Sequence, residues 1–520
     1  MISPSALPPE AAASRLARLI EIGVALSAET DIDVLLEHIV RYAREITRAD
    51  AGTLYILEGD RLEFRILQND TLGVRLGGAT GEAVALEPVA LDEKNVSGYA
   101  ALRGVTVRID DVYTSGEFDF EGPRRYDALT GYRSRSMLVI PMKEREGAVV
   151  GVLQLMNALD PETGSVVGFP EADVRIAEAF ASQAAVALCN ARLLQETRDI
   201  LEALIRVLGV AIDAKSPYTG NHVQRVAELN VALARALHDC REAPFAQVGF
   251  SPQELEEIRI AGWLHDVGKV TTPVHVMDKA TKLEAQFDRI ELIRTRFRLI
   301  RRTAELEART GGSDPARDAE LQRRLEELDE DLRFVERCNR PGEFLEDAAL
   351  ERLRSIARKT YRDGGRDRPY LTDDEVRHLS IRRGSLTPEE MAAMREHVAW
   401  TARMLEQIPF SKHLSNVPRF AAHHHERLNG TGYPQGLTAR DLPLQSRILA
   451  VADFYEALSA KDRPYKRPMD RDTVLAILRK AAAAGEIDGD ILELAVREGV
   501  FDRFEARYGG REAPDGSPAQ

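Results

Sequence analysis

Gly262-Trp263-Leu264-His265-Asp266-Val267-Gly268-Lys269 is the stretch on which the reading of this 520-residue chain turns. The apolar residues before it read as a helix that ends in His265 and Asp266, and Gly268 has the character of a C-terminal cap. Neighbouring residues on a helix project only about 100° apart, so this imidazole and this carboxylate can reach one centre. A His beside an Asp is a donor pair suited to divalent metals.

Histidine is scarce, eleven in all, and unevenly placed. His222 follows Thr219-Gly220-Asn221, a helix-start signal, so its imidazole falls in the first turn of a helix continuing through Val226, Leu229 and Leu233. His397 lies in the amphipathic run Met394-Arg395-Glu396-His397-Val398. His424 and His425 close the apolar stretch Phe420-Ala421-Ala422-His423, ahead of Asn429-Gly430-Thr431-Gly432-Tyr433-Pro434, whose glycines allow a tight loop. Asp453 interrupts Ile448-Leu449-Ala450-Val451-Ala452, where burying a bare carboxylate is costly and a metal removes the cost. Singly, each has a plainer reading. A lone helical His is more often a core or surface residue than a ligand, and Asp453 alone reads equally as a cap or an ion-pair partner. It is their number, spread over separate helical segments, that points to a shared metal centre.

The extended motifs Thr219 to Val226, His265 to Lys269 and His424 to Pro434, in this order, resemble the HD-GYP family of phosphodiesterases. The resemblance covers residues 200–505 apart from a charged insertion. It implies an all-α HD core with a two- or three-metal centre of iron or manganese that hydrolyses cyclic di-GMP to a linear dinucleotide or to GMP. Carried over, the metal ligands are His222, His265, Asp266, His397, His424, His425 and Asp453, with Asp266 as the bridge between metals. Asp266 and Lys269 are the expected catalytic groups, and Lys269, Arg463 and Lys466 the expected substrate-binding cations. Some members have a Glu one turn before the first His; here Tyr218 holds that position, which favours two metals over three. A family Asp three residues after Asp453 is replaced by Glu456, and one extra residue precedes Arg463. Both bear on substrate fit. They leave open another cyclic dinucleotide such as cyclic GMP-AMP, a simpler phosphate ester, or a scaffold that binds nucleotide without turnover. His423 is read as structural.

The N-terminal half has a different pattern. After a Pro/Ala/Ser-rich tail and a helix within residues 1–29, a second helix follows Asp31. Leu54 and Ile56, the turn Glu58-Gly59-Asp60, then Leu62, Phe64 and Ile66 read as a β-hairpin. Further strands fall at Ser136 to Met142 and Ala148 to Asn157, so residues 30–190 read as an α+β domain. Asp50-Ala51-Gly52-Thr53-Leu54-Tyr55, Ser136 to Met142 and Gly151 to Asn157 make this region resemble a GAF domain. That resemblance implies a small-molecule ligand and dimerisation through flanking helices. Asn157, Phe169 and Asp173 echo a signature of nucleotide-binding GAF domains, but Ala158 and Val174 break it, which favours structural roles. A helical stripe over residues 173–208 reads as a connecting helix, of the kind that joins sensor and effector in dimers. The organisation is thus multidomain: an α+β GAF sensor domain, then an all-α HD-GYP domain over 200–505 with an inserted charged helical hairpin within 285–385. Residues 506–520 read as a disordered tail.

Composition narrows the partners. A formal charge of −14 opposes binding to nucleic acid polymers or anionic membranes, so an anionic substrate needs locally placed cations. Three widely separated cysteines, Cys189, Cys240 and Cys338, fit a reducing compartment. With no bilayer-length apolar run and no export signal, the expectation is a cytoplasmic protein, and the GAF resemblance adds the expectation of a homodimer.

Overall fold

A computed structural model describes residues 9–80, 82–215, 221–310, 315–342, 344–460 and 469–508. The chain divides into two compact units, Met1–Leu201 and Glu202–Gln520. The N-terminal tail expected over the first residues and the tail beyond residue 508 lie outside the described residues.

The first unit opens with helices α1 (Pro9–Ala28) and α2 (Ile32–Thr47). Asp31 starts α2 by accepting hydrogen bonds from the Asp33 and Val34 amides. Strands β1 (Ala49–Glu58) and β2 (Arg61–Asn69) form the hairpin, turning at Gly59, where φ is +62°. Then come β3 (Val74–Leu76), β4 (Val89–Ala90), α3 (Val96–Arg103), β5 (Val107–Ile109), α4 (Glu121–Thr130), β6 (Met137–Lys143), β7 (Val149–Leu159) and β8 (Val166–Val167). The antiparallel sheet runs β3-β2-β1-β7-β6-β5, with β4 on β2 and β8 on β7.

Both faces of that sheet are covered. Leu54, Ile56, Leu138, Ile140, Leu153 and Leu155 face α1, α2 and the first part of α5 (Glu171–Asp213). Tyr55, Leu62, Val139 and Val152 pack on the opposite face under Val96, Ala100 and Phe120. The alternation legible in β1 therefore separates two cores, not core from water. Ala177, Phe180, Ala184 and Leu188 hold the start of α5 to the sheet. Farther along the same helix Val186, Leu193, Ile200 and Val207, spaced by seven, are 42%, 60%, 62% and 63% exposed.

The residues of the GAF-like signature serve the fold. Asn157 donates to the Arg133 carbonyl and accepts from the Arg135 amide, Phe169 is buried in the core, and Asp173 pairs with Arg48 at 2.8 Å.

The second unit is built around α6 (His222–Asp239) and α7 (Pro252–Leu264), followed by a short 3-10 turn over Val267–Thr271 and α8 (Val274–Met277). The inserted segment contains α9 (Ile290–Thr310) and α10 (Pro315–Asn339). Ion pairs Arg294–Glu336, Arg301–Asp329 and Arg324–Glu307 show these two helices to be antiparallel. The insertion also holds α11 (Asp347–Arg358), a two-stranded hairpin β9 (Thr360–Asp363) and β10 (Arg366–Pro369), and α12 (Asp373–Leu379). It has its own core, with Ile293, Phe297, Val335, Leu353 and Leu379 at its centre, and so exceeds the simple hairpin expected. The chain then continues through α13 (Pro388–Leu405), α14 (Val417–Ala422), α15 (Leu444–Ser459), α16 (Arg471–Ala483), α17 (Gly489–Arg497) and α18 (Val500–Tyr508). The three cysteines are free, and no helix among the described residues is long and apolar enough to cross a membrane.

Candidate metal centre

Two glycines bring the key helices together. A Cβ on Gly262 would lie 2.8 Å from the Ala227 backbone, so α7 can approach α6 closely only because this residue has no side chain. A Cβ on Gly268 would meet the His397 carbonyl at 1.9 Å, which lets α13 press against the turn after α7. Thr401 locks that contact, its hydroxyl accepting from the Gly268 amide and donating to the His265 carbonyl, both at 3.0 Å. Helix α7 itself starts at a defined point, through the Ser251/Glu254 capping box with Pro252 in the first turn.

This packing converges the side chains singled out by sequence. Asp266, essentially fully buried, turns its two oxygens to two different groups of histidines. Oδ2 lies 3.5 Å from His222 Nε2 and 3.2 Å from His265 Nε2. Oδ1 lies 3.4 Å from His397 Nε2 and 3.7 Å from His424 Nε2. Asp453 Oδ1 stands 3.5 Å from His222 Nε2 and 3.8 Å from His265 Nε2. His425 joins the other side, its ring 5.2 Å from that of His397 and 4.1 Å from that of His424. Sets of three able to hold a metal ion are therefore His222/His265/Asp453, His397/His424/His425 and His265/Asp266/His424.

The hydrogen bonding fits cations at this point. His265, His397 and His424 each direct Nδ1 to the carbonyl three residues earlier, Gly262 at 2.8 Å, Met394 at 2.5 Å and Ala421 at 2.6 Å. Since only an N–H can donate to a carbonyl, Nε2 of each ring carries the lone pair when the ring is neutral; at His265 burial opposes charge, but Asp266 and Asp453 outweigh it and raise the pKa. Those three Nε2 atoms and Asp266 Oδ1 are buried without a hydrogen-bond partner, and they converge. Buried polar atoms are nearly always satisfied, so facing lone pairs form a donor set matched to divalent cations.

Charge follows the same division. Burial, reinforced at His424 by His425, pushes the pKa of His397, His424 and His425 down, to about 4 for His425, so these rings are neutral donors near pH 7. At His222 burial opposes charge, but Glu456 and Asp266 prevail and raise it to about 10. The pull of two carboxylates that favours a proton on His222 favours a metal cation equally. At Asp266 burial is outweighed by Lys269 and His265, which hold its pKa well below the usual carboxylate range.

Lys269 forms an ion pair with Asp266 Oδ2. Arg463 and Lys466 lie outside the described residues, as does Tyr218. His423 points elsewhere, and burial with Arg419 nearby lowers its pKa to about 4. Two residues take a role that the sequence reading did not give them: Glu456, read only as bearing on substrate fit, and Arg225. Glu456 accepts from His222 Nδ1 and from Arg225 Nε, the latter at 2.6 Å, and so orients His222. The signal was available: Glu456 follows Asp453 by one helical turn, which places it on the same face.

Comparison with known proteins agrees with this architecture. A GAF domain family matches residues 29–188, and HD domain families match residues 219–340 and 373–491. The chain is thus a GAF domain followed by a helical HD-domain region. Residues 341–372, with α11 and the two-stranded hairpin, fall between the two HD matches. The chain is 35% identical over 126 residues to a 3'3'-cGAMP-specific phosphodiesterase 1 of Vibrio cholerae, covering 24% of this chain and 28% of that protein. It is 41% identical over 96 residues to a cyclic di-GMP phosphodiesterase of Thermotoga maritima, covering 17% and 24%. A longer match, 24% identical over 299 residues, joins it to a 3'3'-cGAMP-specific phosphodiesterase 2 of Vibrio cholerae, covering 57% and 35%. The chain thus spans only about a quarter to a third of the length of these relatives.

Proposed function

We propose that this chain is a metal-dependent phosphodiesterase that hydrolyses a cyclic dinucleotide, cyclic di-GMP first among candidates, under control of its GAF domain. The observation that carries the reading is Asp266, whose two oxygens address two groups of buried histidines, with Nε2 of His265, His397 and His424 unpartnered among the described residues. His222, His265, Asp266 and Asp453 would hold one ion, and Asp266, His397, His424 and His425 a second. Divalent iron or manganese bound there would supply Lewis acidity toward water and the phosphodiester oxygens.

The chain's own groups complete the reaction. Lys269, paired with Asp266 at the edge of the centre, neutralises charge developing on a phosphoryl oxygen. Arg463 and Lys466 are assigned to the substrate's phosphates, where local cations offset the chain's negative charge. Glu456 and Arg225 keep His222 in one tautomer and orientation.

Similarity to phosphodiesterases named cGAMP-specific favours cyclic GMP-AMP as the second substrate reading. Metal analysis of purified protein, with hydrolysis of cyclic di-GMP, cyclic GMP-AMP and cyclic di-AMP in the same preparation, tests both. Wild type should carry close to two transition-metal ions and open at least one substrate, while Asp266→Asn should lose metal and activity together. Turnover that persists in metal-free protein, or a metal-loaded protein inert to every diester, would refute the proposal.

A further inference from the structure

Beside the centre lies a recess of about 490 Å³, lined by Pro388, Met391, Ala392, Arg395, Ala399 and Tyr433 among others. Five of these share one face of α13, at spacings of three, four and seven, while His397 on the same helix points into the centre. Tyr433 joins the two spaces. Its ring lies 4.9 Å from that of His425 at 35°, and the Arg395 guanidinium sits over it at 5.2 Å. A substrate phosphate at the histidines would therefore carry its attached nucleoside toward this recess.

We propose that the recess receives a guanine base of the substrate and that Arg395 is the residue that selects guanine over adenine. This rests on the phosphodiesterase reading above. The floor formed by Met391, Ala392 and Ala399 suits the flat apolar face of a purine. Arg395, exposed at the rim with its guanidinium over Tyr433 at 5.2 Å, offers a planar fork of N–H donors. Guanine offers O6 and N7 as adjacent acceptors, which such a fork meets with two hydrogen bonds, whereas adenine puts the N6 donor beside N7 and repels it. A cyclic dinucleotide with at least one guanine is then preferred to one with two adenines.

Binding without turnover provides the test. Equilibrium dialysis of radiolabelled cyclic di-GMP and cyclic di-AMP against chelator-treated full-length protein reads the base contact, and metal-loaded protein acting on bis(p-nitrophenyl) phosphate reads the chemistry. Arg395→Met, which keeps the apolar stem, should weaken cyclic di-GMP binding by roughly tenfold or more and leave cyclic di-AMP nearly unchanged. Ala392→Trp, which fills the recess with Arg395 in place, should weaken both. In each variant bis(p-nitrophenyl) phosphate hydrolysis and metal content should match wild type. Unchanged cyclic di-GMP binding in Arg395→Met, or equal loss for both dinucleotides, overturns the guanine assignment while the phosphodiesterase reading stands. Arg395-dependent cyclic di-GMP binding by a protein that cleaves no diester supports the recess and sinks the phosphodiesterase reading instead.

Discussion

Glu456 stands behind the proposed metal centre, hydrogen-bonded to the candidate ligand His222. Its buried carboxylate bonds both His222 Nδ1 and Arg225, and although burial opposes charge, those partners bring its pKa down to about 2. Removing that charge leaves His222 with a weaker orienting partner. Glu456→Gln is therefore expected to lower metal affinity by about 10- to 100-fold, measured by competition with a chromophoric chelator, with the fold retained by circular dichroism. Lys282 presents the opposite case, a cation with little to meet it. Its residue is fully buried, and among the described residues its ammonium reaches only the Leu379 carbonyl, at 3.4 Å. Burial lowers its pKa from 10.5, so the unfolded chain binds the proton more tightly than the folded one. Stability thus falls as pH drops from 10.5 toward the lower folded value, and the cost is fully present below that value. Lys282→Met should raise the Tm at neutral pH, with a gain that shrinks as pH approaches 10.5; a lower Tm at neutral pH would contradict this account.

At the scale of elements, α5 is the unusual member. Its first part is committed to the sheet, but Val186, Leu193, Ile200 and Val207 recur every seven residues and remain largely exposed, with Leu194 and Leu204 beside them. A heptad-spaced apolar seam is covered best by a second helix of the same pitch, and a second copy of this chain supplies one. We propose that α5 pairs two chains. Leu193→Glu with Ile200→Glu should convert a dimer to a monomer in size-exclusion chromatography with light scattering; an unaltered mass would place the interface elsewhere. The inserted segment closes many of its apolar residues from α9 to α12 on a core of their own, while Leu292, Leu299 and Leu306 of α9 also recur every seven residues and are 49%, 45% and 60% exposed.

For the whole molecule, the connecting helix offers a route by which the GAF domain could control the HD-domain region. A ligand can shift activity only by binding two states unequally, and if α5 pairs two chains as proposed, those states would differ in the phase of the seam. Inserting seven residues after Thr197 preserves that phase, whereas inserting four breaks it. The seven-residue variant should keep wild-type hydrolysis within about twofold, and the four-residue variant should change the rate several-fold in a kcat measurement. Equal rates in both would remove the helix from regulation.

Local order was open to reading in the residues themselves. Asp31 caps a helix, Gly59 turns a hairpin, and His265-Asp266 end a helix, because capping, positive φ and periodicity act over a few neighbours. The donor residues were also identifiable by type, since few buried roles explain so many histidines and carboxylates at helix ends. Their meeting at one centre, with Asp266 as the bridge, was an expectation of the resemblance, but which histidines face each of Asp266's two oxygens was not legible. Both depend on Gly262 and Gly268 permitting backbone contacts between segments more than a hundred residues apart in the case of His397. Local spacing places Glu456 on the face of Asp453, but neither its pairing with His222 nor the closed core of the insertion has a local signature. Long-range packing, which no short window of sequence contains, decided both.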